Sequence, residues 1–110
     1  MDNIKYKNRT HVRLEKALKS TLNMLQMRDW QVELVTGTVI PNELADHHNS
    51  SASVSYDINM LKAIIFINTA LCKERNQDPL WNLYHEVFHI WLLYCNEEER
   101  QCNILAALLI

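Results

Sequence analysis

Apolar and polar positions alternate along the chain with two distinct periods, and the changes of period mark its elements. Over residues 12–28 the apolar positions recur at helical spacing. Leu14, Leu18, Thr21, Leu22 and Leu25 share one stripe, which predicts an amphipathic helix with Thr10 as its cap. A stripe of this width suits a helix that covers one face of a sheet. At residue 30 the period drops to two: Trp30, Val32 and Leu34 alternate with Gln31 and Glu33, the signature of a half-buried strand over residues 30–35. Thr36-Gly37-Thr38 predicts a turn, with Val39-Ile40 an extension that Pro41 ends. Residues 41–51 are polar and read as a loop. Alternation resumes at Ala52, Val54 and Tyr56 against Ser51, Ser53, Ser55 and Asp57, giving a second strand. Residues 63–67, Ala-Ile-Ile-Phe-Ile, form a third and more buried one. Residues 57–62 then connect the last two as a hairpin.

The rest of the chain reads as helix. Asn68 caps a short helical turn over residues 69–75. Asp78 is a good N-cap and Pro79 suits the first helical position, so a new helix starts there. Residues 80–93 contain nothing that breaks a helix and are apolar on most sides, as in a buried helix. After a short break at Cys95-Asn96, a final helix runs from residue 97 to about 109, with Cys102, Leu105 and Leu109 on its apolar stripe. The expected fold is α+β: a small, three-stranded, mainly antiparallel sheet packed by the first helix, the helix after Asp78 and the C-terminal helix. The 110 residues are expected to form one domain.

The buried helix carries the chemistry. It contains His85-Glu86-Val87-Phe88-His89, an HExxH motif. Histidines four residues apart lie on one helical face, one turn above each other, and both imidazoles can reach a single metal ion. Glu86 points about a quarter turn away, where it misses the metal but reaches a water beside it. Two nitrogen ligands, an open position and a carboxylate base are what a zinc hydrolase requires. The competing reading is a core helix whose histidines bond neighbouring carbonyls or acids. Histidines and a glutamate in an apolar setting are costly unless paired or bound to metal.

A third ligand is sought on the final helix. Glu97, Glu98 and Glu99 suit a helix N-terminus electrostatically. Four residues back along the stripe from Cys102 lies Glu98, the acid expected to face the motif helix. Glu97 is the alternative and Glu99 points most nearly outward. A glutamate there completes a His₂Glu zinc site. His47 and His48 in the polar loop are further candidates for a metal ligand or an oxyanion donor, although exposed loop histidines usually do neither.

Composition narrows the classes. The net charge is −2, but residues 1–28 hold seven basic groups against two acidic ones. A basic helix face can meet nucleic acid. No aromatic is interleaved with these residues and no helix-turn-helix is evident, so nucleic acid is not the expected partner. The single glycine, Gly37, excludes a glycine-rich phosphate loop. Residues 1–10 are polar, which argues against a secretory signal, and no apolar run reaches the length of a membrane span. Cys72, Cys95 and Cys102 make an odd count without a disulfide framework, as in a reducing cytoplasm. The apolar stretch 106–110 leaves open a dimer or a longer parent chain.

In this order of elements the chain resembles the zincin metallopeptidases, in particular small gluzincins. The end of the chain, Glu99-Arg100-Gln101-Cys102-Asn103-Ile104-Leu105-Ala106-Ala107-Leu108-Leu109-Ile110, is similar to the ImmA/IrrE-type metallopeptidases. Their last core helix carries a pattern close to Glu-Ala-Asn-x-Phe-Ala-Ala-x-Leu-Leu. Asn103, Ala106, Ala107 and Leu109 match it, and His85, Glu86 and His89 match the family's ligands and base. The family's third-ligand glutamate falls on Gln101, so Glu98 or Glu97 takes that role from a turn earlier, or the ligand is lost. Phe88 stands where the family usually has glycine, and the family's connection between the two helices is longer. The resemblance implies a zinc-dependent peptidase in which Glu86 activates a water on Zn²⁺, with a protein or peptide substrate, in this family often a regulatory protein. It further implies a substrate extended along an edge strand, either residues 52–56 or 63–67, and an oxyanion donor among Tyr84, Tyr56, His47 and His48. The alternative is a non-catalytic module of the same fold that binds a protein or nucleic acid. Gln101 favours that alternative, and the intact Glu86 opposes it.

Overall fold

A computed structural model describes residues 8–92, 103 and 106–110. Its elements are helix α1 (Arg9–Met24), strand β1 (Gln31–Gly37), a 3₁₀ segment (Asn42–His47), strands β2 (Ala52–Asp57) and β3 (Lys62–Asn68), and helices α2 (Thr69–Glu74) and α3 (Pro79–Trp91). Residues 106–109 are helical as well.

Local chemistry sets the boundaries. Asn8, rather than Thr10, caps α1, its Oδ1 accepting from the His11 amide at 2.8 Å. The helix stops four residues earlier than residue 28. Gln26 takes a left-handed backbone (φ 60°), and the amides of Gln26 and Met27 bond back to the carbonyls of Asn23 and Leu22. That double bond is a Schellman ending. The α2 helix ends the same way, with Asn76 at φ 56° and the amides of Asn76 and Gln77 bonded to Lys73 and Cys72. Asn68 caps α2 through the Leu71 amide, and Asp78 caps α3 through the Leu80 amide at 2.9 Å.

The sheet has the order β1-β3-β2. The β2–β3 pair is antiparallel and the β1–β3 pair is parallel. The sheet is therefore mixed where the sequence leads one to expect mainly antiparallel pairing. The hairpin between β2 and β3 is too short for anything but an antiparallel turn. The long stretch between β1 and β3 contains all of β2 and lets the chain return beside β1 in the same direction. Apolar periodicity specifies which face a strand buries and is silent about its direction. Thr36 and Gly37, expected in a turn, extend β1 and pair with Ile67 and Asn68.

The core lies on one face of this sheet. Leu14 and Leu18 of α1 and Leu83, Val87 and Ile90 of α3 pack on Leu34, Ala63, Ile65 and Ile67. Burying one such aliphatic side chain contributes about 1.5–3 kcal/mol. On the opposite face Val35, Phe66 and Ser53 share a row across the three strands. Phe66 is fully buried there. The 3₁₀ segment packs beside β2 and contributes Leu44, also fully buried, so the loop expected at residues 41–51 has its own apolar anchor. No helix among the described residues is long and apolar enough to cross a membrane.

Candidate metal centre

The motif residues sit in the middle of α3, whose register the sheet dictates. Leu83, Val87 and Ile90 point into the core, and this turns His85, Glu86 and His89 toward β2. His85 and Glu86 are buried, and His89 is half-buried. The Nε2 atoms of His85 and His89 lie 3.0 Å apart. Their rings meet edge to face with centroids at 4.6 Å, and Trp81 stacks on His85 from the preceding turn at 5.3 Å. Two nitrogens bound tetrahedrally to one zinc at roughly 2.0–2.1 Å stand about 3.3–3.4 Å apart, so the observed convergence fits a shared ion with a small opening of the pair.

The three residues line a cavity of about 470 Å³ together with His47, Ser50, Ala52, Ser53, Val54 and Tyr56. One wall is therefore α3, another is β2, and the end of the 3₁₀ segment closes a third side. Within the described sheet β2 is an edge strand. The alternative edge, residues 63–67, is ruled out because β3 is central and pairs on both sides. Of the four expected oxyanion donors, His47 and Tyr56 line the cavity. His48 and Tyr84 do not, and Tyr84 packs instead beside Phe88 and Leu92 on another side of α3. Among the described residues no group of three His, Cys, Asp or Glu side chains is close enough to hold a metal, so His47 is not a third ligand in this arrangement. Glu98 and Glu97, the expected third ligands, lie outside the described residues, as do Glu99, Gln101, Cys95 and Cys102.

A polar cluster that the motif does not announce supports the site from below. Gln77 Oε1 accepts from Ser51 Oγ at 2.5 Å and from Asn82 Nδ2 at 3.4 Å, and Asn82 Nδ2 also reaches Cys72 Sγ at 3.5 Å. These bonds join the entry of β2 to α3 one turn before Glu86. Burial of Cys72 pushes its thiol pKa above the ordinary value of 9.0, against the lowering effect of the Asn82 bond. Helical spacing would have found Trp81, four residues before His85. Strand alternation alone would not have found Ser53 or Ser50. A second cavity, about 530 Å³, is lined by Gln31, Asp57 and Lys62 among others and contains no histidine. Comparisons with family models, curated proteins and solved structures give no match for this chain.

Proposed function

We propose that the chain is a zinc-dependent peptidase. The observation that carries this reading is the convergence of the two Nε2 atoms at 3.0 Å beside a buried glutamate, in a cavity bordered by a sheet edge. His85 and His89 are the residues to hold the ion, and Glu98, with Glu97 as alternative, is the proposed third ligand. Zinc, when bound, supplies Lewis-acid polarisation of a carbonyl and lowers the pKa of water toward neutrality. The protein supplies the rest. Glu86 takes a proton from the attacking water and returns it to the leaving amine. An extended peptide adds to the edge of β2, whose backbone groups recognise any sequence in strand conformation. His47 or Tyr56 donates to the developing oxyanion. A regulatory protein is the proposed substrate class, from the family resemblance. The proposed setting is the cytoplasm, supported by Cys72 remaining a buried free thiol.

Metal content measured by elemental mass spectrometry tests the site. Wild type and His89→Ala are purified side by side without chelator or affinity metal. About one zinc per chain is expected in wild type and little in the variant. No zinc and no uptake of added zinc would mean that the histidines serve the core, and the interaction-module reading would replace this one.

A further inference from the structure

Trp81 stands one turn before His85, and His85 one turn before His89, so the three rings form a stripe along one face of α3. The Trp81 indole stacks on the His85 imidazole with ring centroids 5.3 Å apart and planes 26° from parallel. His89 meets the same imidazole nearly at right angles, at 78°. A histidine ring left to itself turns over a broad range about its last torsion. A stack on the ring face narrows that range and uses neither ring nitrogen, because both nitrogens lie in the ring edge. The edge that carries Nε2 is turned to His89 Nε2, 3.0 Å away. Trp81 is half-buried and stands outside the lining of the cavity, so its contact with the site runs through His85. Trp91, on the same helix, pairs with Phe88 instead, edge to face at 5.9 Å.

We infer that Trp81 is a positioning residue that aims the His85 imidazole and tightens its hold on zinc. This rests on the proposed reading that His85 and His89 share a zinc ion. Two effects act in the same direction. A ring already held in its binding orientation loses little freedom when it takes a metal. Coordination also draws electron density out of the imidazole, and the electron-rich face of an indole attracts an electron-poor ring more strongly than a neutral one. A contact that is stronger in the bound state than in the free state raises affinity by that difference. Removing the stack is therefore expected to weaken zinc binding by about three- to ten-fold, the range that one aromatic pair supplies. Both effects need a flat aromatic face. Phenylalanine keeps one, whereas leucine fills apolar space without it.

The test measures zinc affinity, by competition with a chromophoric chelator, in wild type, Trp81→Phe, Trp81→Leu and Trp91→Leu. Trp81→Leu is expected to lose about three- to ten-fold, and Trp81→Phe to stay within about two-fold of wild type. Trp91→Leu, which removes an indole that pairs with Phe88, should bind zinc as wild type does. A general loss of helix packing would instead weaken Trp81→Phe and Trp81→Leu alike, or Trp91→Leu as much as Trp81→Leu, and either result overturns the positioning role. So does wild-type affinity in Trp81→Leu. A second measurement needs no variant and holds if Trp81→Leu does not fold. The ring protons of His85 in wild type are followed by nuclear magnetic resonance before and after zinc is added. The ring current of a stacked indole shifts them upfield, and the shift is expected to persist with zinc bound. Its disappearance on zinc binding overturns the inference and leaves the peptidase reading standing. If wild type binds no zinc at all, both fall.

Discussion

Glu86 and His89 share a helix but have different chemical parts in the proposed peptidase, and single substitutions separate them. A glutamine at 86 keeps the size of the side chain and loses the basicity. Glu86→Gln is expected to lower peptide hydrolysis by roughly 10²–10⁴-fold, the usual contribution of a positioned general base, with zinc content unchanged. Wild-type turnover in that variant would remove Glu86 from the mechanism. That His85, Glu86 and His89 line one cavity was legible because HExxH is a local spacing and a helix turns spacing directly into a shared face. A third ligand, proposed at Glu98 or Glu97, is not legible in the same way, because it depends on how a second helix docks. Cys72 gives a prediction independent of catalysis. Its thiol is buried beside Asn82, and burial raises its folded pKa above 9.0. The folded state therefore keeps its proton at a pH where the unfolded chain has begun to lose it, so this group stabilises the fold below about pH 9 and the contribution falls as pH rises beyond that. Denaturant titrations at pH 8 and pH 10 should show a larger loss of stability in wild type than in Cys72→Ala. Equal losses would mean that the thiol has no part in the alkaline limb.

At the scale of elements, most helix starts were written in short polar residues and the ends were not. Asn68 and Asp78 were readable as caps because their side chains bond amides two or three residues ahead, a purely local act. The end of α1 was missed because the left-handed position is held by Gln26 rather than glycine, so composition gave no signal. That same residue is strained. Replacing it by glycine should stabilise the protein by about 1 kcal/mol, since an L-residue in this region is disfavoured by roughly 1–2 kcal/mol and glycine gives back part of that as chain entropy. A thermal melt of Gln26→Gly that lies at or below wild type would contradict this account of the ending. The cap of α3 has the opposite sign. Asp78→Ala removes the acceptor for the Leu80 amide and the exposed 3.4 Å contact with Arg13, and should destabilise by about 0.5–2 kcal/mol, almost all of it from the cap. The buried Leu44 was hidden for a different reason: one large apolar residue in a polar stretch has no period to betray it.

At the scale of the molecule, strand faces were legible from alternation, and the mixed direction of the sheet was not, because direction follows from connections rather than periodicity. The arrangement nevertheless puts α3 across from β2, with the core on one side and the cavity on the other, so site and fold share the same helix. That coupling has a thermodynamic consequence. A ligand that binds the folded chain alone stabilises it by RT ln(1 + [L]/Kd), about 2.7 kcal/mol at a hundred-fold excess over Kd. For a domain of this size such a gain corresponds to a rise in Tm on the order of 10 °C. Added zinc should therefore raise the Tm of metal-free wild type and leave that of His85→Ala and His89→Ala nearly unchanged. The variants also report on the competing reading. If the histidines only fill the core, the alanine changes lower Tm by leaving space, and zinc shifts neither protein. If zinc raises the Tm of wild type and both variants equally, it binds elsewhere on the chain. A shift confined to wild type requires both imidazoles at once, the property that their 3.0 Å approach on one face of α3 provides.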